Sequence, residues 1–135
     1  MYSPEPETIK VFVVVEDAYA GQQKDIKRLE EKANYAGLTY DRMMENAGLG
    51  VAEYIKKHSS QDDSIVFLLG KGRNAGDGYV AGRILFSCGF DVTLVQCAGE
   101  ITDELVIAKL NAFANAAPGR IISAYEESDA ALQKI

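Results

Sequence analysis

Short apolar runs alternate along this chain with longer stretches in which apolar residues recur at helical spacing. Runs rich in β-branched or other apolar residues predict strands at Val11–Val15, Ile65–Leu69, Asp91–Gln96 and Arg120–Ser123. The first is expected at a sheet edge. Between them, amphipathic periodicity predicts helices over Gln22–Tyr35, ending near Gly37, over Asp41–Lys57, over Tyr79–Cys88, and from a cap at Thr102 to just before Pro118.

This alternation predicts an α/β fold with a parallel, doubly wound sheet, because parallel strands need helical crossovers to return the chain. The 135 residues are expected to form a single domain, 1–135. In such a sheet the ligand crevice lies at the carboxyl ends of the strands.

The segment Gly70–Gly78 reads G-K-G-R-N-A-G-D-G and lies between a predicted strand and a predicted helix. We interpret it as a strand-to-helix turn whose glycines adopt positive φ and let a ligand approach the backbone. A helix start directs unpaired N–H groups and partial positive charge at that ligand, so a phosphate-bearing molecule is the expected occupant. The alternative is a plain tight turn in which Asp77 only N-caps the next helix.

Two better-known phosphate loops do not fit this segment. The dinucleotide fingerprint G-x-G-x-x-G fails because Gly76 comes one position late, and the Walker loop fails because Lys71 is followed by Gly72.

Composition narrows the class of protein. Apolar residues make up 47% and charged residues 25% of the chain, as in ordinary soluble domains. The net charge of −6 argues against a nucleic-acid-binding surface. No apolar run has the length of a membrane span and the N-terminus lacks a signal-peptide pattern, so a cytoplasmic protein without membrane contact is expected.

Two further motifs flank the glycine-rich segment: M-M-E-N-A-G at 43–48 and V-A-G-R-I-L at 80–85. Together the three motifs resemble the YjeF N-terminal domain family, the NAD(P)HX epimerases, whose members carry M-E-N-A-G, then G-x-G-N-N-G-G-D-G, then A-A-R-x-L. The resemblance runs from about residue 20 to residue 96. It implies a three-layer α/β/α Rossmann-like sheet, mostly parallel. It also implies the N-terminal part of an NAD(P)H-hydrate epimerase, which interconverts the R and S forms of hydrated NADH or NADPH in nicotinamide nucleotide repair.

The resemblance also assigns site residues. It implies that Arg73, Asn74, Ala75, Gly76 and Asp77 contact the hydrated nucleotide, and that Asn74 ligates a potassium ion, for which an amide oxygen is suited. Arg73 departs from the Asn of the family, and either donates to phosphate or fills the cavity. Ala75 departs from a Gly, which is tolerable where φ stays negative.

In the M-E-N-A-G helix we favour a packing role over a site role. Ala47 and Gly48 are expected to permit close helix packing while Glu45 faces solvent.

The family's catalytic Asp lies on a later strand that ends in D-A-L-F-G-T-G, and this pattern is not found up to Ile135. The resemblance therefore covers about the first half of the domain, truncated at the C-terminus. We assign no catalytic residue, Asp129 included, because Glu126–Leu132 reads as a helix start. The chain alone is expected not to catalyse epimerisation.

The resemblance implies partners as well: the substrate NADHX or NADPHX, an ADP- or ATP-dependent dehydratase, fused or separate, and a second copy in a homodimer. An alternative reading is a non-catalytic YjeF-like module for nucleotide binding, dimerisation or scaffolding. A third, an unrelated flavodoxin-like nucleotide binder, is disfavoured by the order of the motifs.

Overall fold

The computed structural model describes residues 9–13, 28–32 and 34–124, and within them four strands form one sheet. The strands are β1 (Ile9–Val13), β2 (Ser64–Leu69), β3 (Asp91–Gln96) and β4 (Ile121–Ser123). They lie in the order β1-β2-β3-β4, and all three neighbouring pairs are parallel. The predicted parallel α/β sheet is confirmed, and β1 lies at one edge of it as expected.

Three helices connect these strands: α1 (Tyr40–His58), α2 (Arg73–Ser87) and α3 (Glu104–Ala116). Residues 28–32 and 34–35 are also helical, and the chain turns after them at Gly37, where φ is +104°. Each crossover helix starts beyond the carboxyl end of one strand and runs back to the start of the next. The N-termini of α1, α2 and α3 therefore gather at the carboxyl edge of the sheet. Among the described residues, no helix is both long and apolar enough to span a membrane.

The central strands are buried on both faces. Alternate residues of β2 and β3 form the core under the helices, namely Ile65, Phe67, Leu69, Val92 and Leu94. Val66 and Val95 point to the opposite face, since successive side chains in a strand alternate, and they are also buried. Burial of both faces is typical of the predicted three-layer arrangement.

Most predicted boundaries lie within two residues of the observed ones. The helix cap predicted at Thr102 is wrong by one residue: the Asp103 carboxylate accepts from the backbone N–H groups of Leu105 and Val106. The prediction of a helix from residue 22 is confirmed for its described residues. The expectations for residues 14–15, 22–27 and 126–132 lie outside the described residues.

The glycine-rich segment differs most from prediction. We expected a turn through Gly78, but α2 begins at Arg73 with Gly72 as its N-cap, so the turn is only three residues long. None of the four glycines of this segment has positive φ. At these positions the fold therefore does not use the ability of glycine to adopt positive φ.

The helical glycines instead let α2 approach its neighbours closely. A Cβ at Gly76 would lie 2.5 Å from Met44 Cε of α1, and one at Gly78 would lie 2.5 Å from Leu69 Cδ2 of β2. From the other side, a Cβ at Gly48 of α1 would lie 2.5 Å from Val80 Cβ. The predicted packing role of Gly48 is therefore confirmed.

An ion-pair network joins the three helices on their outer side. Glu45 of α1 pairs with Arg83 of α2 at 2.7 Å and with Lys109 of α3 at 2.9 Å, and Lys109 also reaches Asp41 at 2.5 Å. Burial raises the pKa of Glu45, but the hydrogen bonds and charges of Arg83 and Lys109 outweigh it and lower the pKa overall. Our expectation that Glu45 faces solvent is wrong, because two cations from neighbouring helices draw it into their contact.

Replacing Gly48 by Ala should reduce the free energy of unfolding by about 1–3 kcal/mol, because the new methyl group overlaps the Val80 branch point and the helices must separate. Gly50 is a matched control on the same helix, since a Cβ there meets nothing within 4 Å. Gly50→Ala should stabilise the chain by about 0.5–1 kcal/mol through helix propensity. Urea unfolding of both variants checks this, and equal effects of the two substitutions would contradict close packing at Gly48.

Candidate functional site

A cavity of about 70 Å³ lies between the start of α1, the first two turns of α2 and the helical segment that contains Glu30. Its lining residues are Glu30, Tyr40, Met43, Met44, Ala47, Arg73, Asn74 and Asp77. This volume has room for an ion or a few water molecules. It is much smaller than a typical ligand pocket, so a nucleotide would have to extend from it along the carboxyl edge of the sheet.

The five predicted site residues divide into two groups. Arg73, Asn74 and Asp77 line the cavity. Ala75 and Gly76 are buried in the packing of α2, and Gly76 lies against Met44. Ala75 is helical and has negative φ. This is the condition under which we expected an Ala to be tolerated in place of the family's Gly. Helical periodicity accounts for the cavity group, because Asp77 comes four residues after Arg73 and three after Asn74 and so shares a side of α2 with both.

Asp77 lies in the second turn of α2 and does not cap the helix, so the alternative in which it serves only as an N-cap is wrong. Gly72 is the N-cap and supplies no side-chain hydrogen bond. Burial raises the pKa of Asp77 to about 7, with a further contribution from the negative charge of Glu30. A carboxyl group with this pKa is a mixture of protonated and ionised forms at neutral pH.

Arg73, the first residue of α2, is held by groups from both adjacent helices. Its Nε donates to Asp103 Oδ2 at 2.6 Å, and its guanidinium carbon lies 5.0 Å from the centre of the Tyr40 ring. Burial raises the pKa of Asp103, but Arg73 and the N–H groups of α3 reverse this and lower it, so the carboxylate is ionised at neutral pH. Arg73 thus connects the N-termini of all three crossover helices.

The start of α2 differs electrostatically from the starts of its neighbours. The first turns of α1 and α3 contain Asp41 and Glu104, whereas the first turn of α2 contains no acidic residue. The partial positive charge of this helix end is therefore not offset within its own turn. An anionic ligand group is favoured there.

A polar chain that the sequence did not indicate lies nearby, at the ends of β3 and β4. Gln96 donates through Nε2 to the hydroxyl of the buried Tyr79 at 3.2 Å, and Ser123 donates to Gln96 Oε1 at 2.8 Å. The one available signal was that both strands end in a polar residue. From the sequence we assigned Tyr79 only to the start of a predicted helix, and the fold is what brings its hydroxyl to this edge.

Asp77→Asn should change the pH dependence of stability. Because the pKa is raised from 3.8 to about 7, the folded chain retains a proton over this interval that the unfolded chain releases. Stability is therefore lost as pH rises through the interval. The variant should match the parent near pH 4 and exceed it near pH 8, by on the order of 1 kcal/mol, since solvent screens this half-buried group.

Urea unfolding at the two pH values measures this difference. Asp62→Asn, which alters an exposed carboxylate in the loop before β2, serves as the control and should show no such pH dependence. A constant difference between Asp77→Asn and the parent at both pH values would contradict the burial of a titrating carboxyl group.

Known proteins resemble this chain in sequence and in fold. The family described as YjeF-related protein N-terminus matches residues 40–134. A bifunctional NAD(P)H-hydrate repair enzyme Nnr of Methanopyrus kandleri is 38% identical over 88 residues, 65% of this chain and 17% of that relative. An NAD(P)H-hydrate epimerase of Entamoeba histolytica is 35% identical over 79 residues, 56% of this chain and 35% of that relative.

Among solved structures, the crystal structure of yeast ynu0 superposes with a TM-score of 0.65 at 21% identity, over 78% of this chain and 47% of that one. At this identity the likeness concerns the fold. The chain spans much less than two thirds of the length of these relatives. The match over residues 40–134, which contains all three sequence motifs, shows that this chain belongs to the YjeF-related protein N-terminus family.

Proposed function

We propose that this chain is the nucleotide-binding N-terminal part of an NAD(P)H-hydrate epimerase, which interconverts the R and S forms of hydrated NADH or NADPH. The observation that carries the proposal is the grouping of Arg73, Asn74 and Asp77 around one cavity at the carboxyl edge of a parallel sheet. Ligands of open α/β sheets bind at this edge. The names of the relatives, epimerase and repair enzyme, agree with it.

The same cavity suits a potassium ion. The amide of Asn74 and the carboxyl groups of Asp77 and Glu30 line it, and oxygen donors of this kind bind hard cations. When bound, such an ion would supply positive charge that offsets substrate anions and fixes the orientation of its neighbours. Burial and the negative charge of Glu30 raise the pKa of Asp77, so a cation bound in the cavity would lower it.

In this proposal the described residues bind and orient the substrate. Epimerisation needs a general acid–base group at the reacting carbon, and we assign that role to no described residue. Gly76 and Ala75 act by packing: Ala75 is buried in the core, and the lack of a side chain at Gly76 lets α2 lie against Met44 of α1, beside the cavity that Asn74 and Asp77 line.

The proposal extends to partners and location. The Nnr relatives are named bifunctional, which is consistent with a dehydratase, fused or separate, that consumes one epimer. A homodimer and a cytoplasmic location are further parts of the proposal, since both follow from the family resemblance and from the composition of the chain rather than from contacts in this structure.

Hydrated NADPH should bind more tightly in potassium chloride than in choline chloride of equal ionic strength. Asn74→Leu should remove this difference, because it removes a proposed oxygen donor to potassium. It should also weaken binding in potassium chloride by roughly 10-fold or more, the size of effect that perturbing a metal site has. Asn46→Leu is the control, because Asn46 is exposed and lies outside the cavity lining. Isothermal titration calorimetry with both epimers checks the prediction.

Affinity for hydrated NADPH that is equal in the two salts would contradict the potassium site. If hydrated NADPH does not bind at all while the chain self-associates in analytical ultracentrifugation, the scaffold alternative is favoured over the epimerase.

A further inference from the structure

Arg73 holds its guanidinium in a defined place although its side chain is 47% exposed. Exposed arginines usually sample many rotamers, but this one is fixed at two points. Asp103 accepts from Nε at 2.6 Å, and the Tyr40 ring lies 5.0 Å from the guanidinium carbon. The two contacts come from different helices, α3 and α1, so the guanidinium is held by two separate elements.

Asp103 is itself firmly placed. Its Oδ1 accepts from the N–H groups of Leu105 and Val106 as the N-cap of α3, while Oδ2 accepts from Arg73. The backbone of α3 therefore determines where the Arg73 guanidinium lies. Because these three donors already engage the carboxylate, its repulsion of an incoming anion is reduced.

The contact with Asp103 uses only one of the five N–H donors of the guanidinium. The two terminal nitrogens form the fork that matches two oxygens of a phosphate group. They lie at the first residue of α2, next to the helix end that has no acidic residue in its first turn.

We propose that Tyr40 and Asp103 are positioning residues, which hold the Arg73 guanidinium ready to receive a phosphate group of the nucleotide. This inference rests on the proposed function and makes it more specific. It also gives a physical role to the departure from the family's Asn at this position. Arg73 contacts the ligand, whereas Tyr40 and Asp103 act through Arg73.

A double-mutant cycle tests the coupling. Asp103→Asn keeps a good N-cap for α3, because Asn and Asp cap helices about equally well, but it removes the carboxylate that Arg73 contacts. We expect it to weaken binding of hydrated NADPH by about 5- to 10-fold in the parent chain, and by less than about 2-fold in an Arg73→Met background. Equal losses in both backgrounds would overturn the inference.

Tyr40 gives a second test that does not involve a helix cap. Tyr40→Phe preserves the ring under the guanidinium and should bind like the parent, whereas Tyr40→Leu should show the same loss as Asp103→Asn. Lys57→Gln removes one positive charge at the far end of α1 and should leave the affinity unchanged. A loss in Lys57→Gln equal to that in Arg73→Met would show that only net charge matters, and would overturn the inference.

Inorganic pyrophosphate, used as a second probe, separates this inference from the proposed function. Binding of pyrophosphate that needs Arg73 and Asp103, together with no binding of hydrated NADPH, would support the positioning role and overturn the epimerase assignment. If hydrated NADPH binds equally well to the parent and to Arg73→Met, the positioning role is overturned and the epimerase assignment is supported. If the parent binds neither probe, both proposals fail.

Discussion

The close contact of α2 with α1 is the constraint on which the site depends. Gly48 of α1 lies against Val80 of α2, and Gly76 of α2 lies against Met44 of α1, so each helix presents a glycine to a side chain of the other. This close contact places the exposed face of the first α2 turns beside the start of α1. A cavity shared by Asn74 and Asp77 with α1 exists only at this separation.

The ion pairs around Glu45 also hold the three helices together. Glu45 belongs to the M-E-N-A-G motif of α1 and Arg83 to the motif that follows the glycine-rich segment, so their contact links two of the three sequence motifs. Lys109 extends the link to α3, and its pKa is raised because two carboxylates outweigh its burial. The network thus ties α1 to both α2 and α3 in addition to the apolar contacts between the helices.

The site separates opposite charges over a short distance. Carboxyl groups of Glu30 and Asp77 face the cavity, where burial raises the pKa of Asp77. Arg73 also lines the cavity, but it pairs with Asp103 and lies over the Tyr40 ring instead of pairing with Glu30 or Asp77. A cation beside the two carboxyl groups and a phosphate beside Arg73 would each find complementary charge. This division fits a substrate that is bound together with potassium, as the proposed function requires.

The sequence by itself determined the parallel α/β class, most element boundaries and the family, because periodicity and motif order are local properties of the chain. It also identified the segment that carries Arg73, Asn74 and Asp77. It could not show that most of this segment is helical, because a glycine needed for a turn and a glycine needed for close packing look the same in a sequence. Nor could it show that Asp77 is half-buried near Glu30, or that Asp103 and Tyr40 hold Arg73. Burial and contacts between distant residues exist only once the helices are packed, and so the tertiary structure alone decided them.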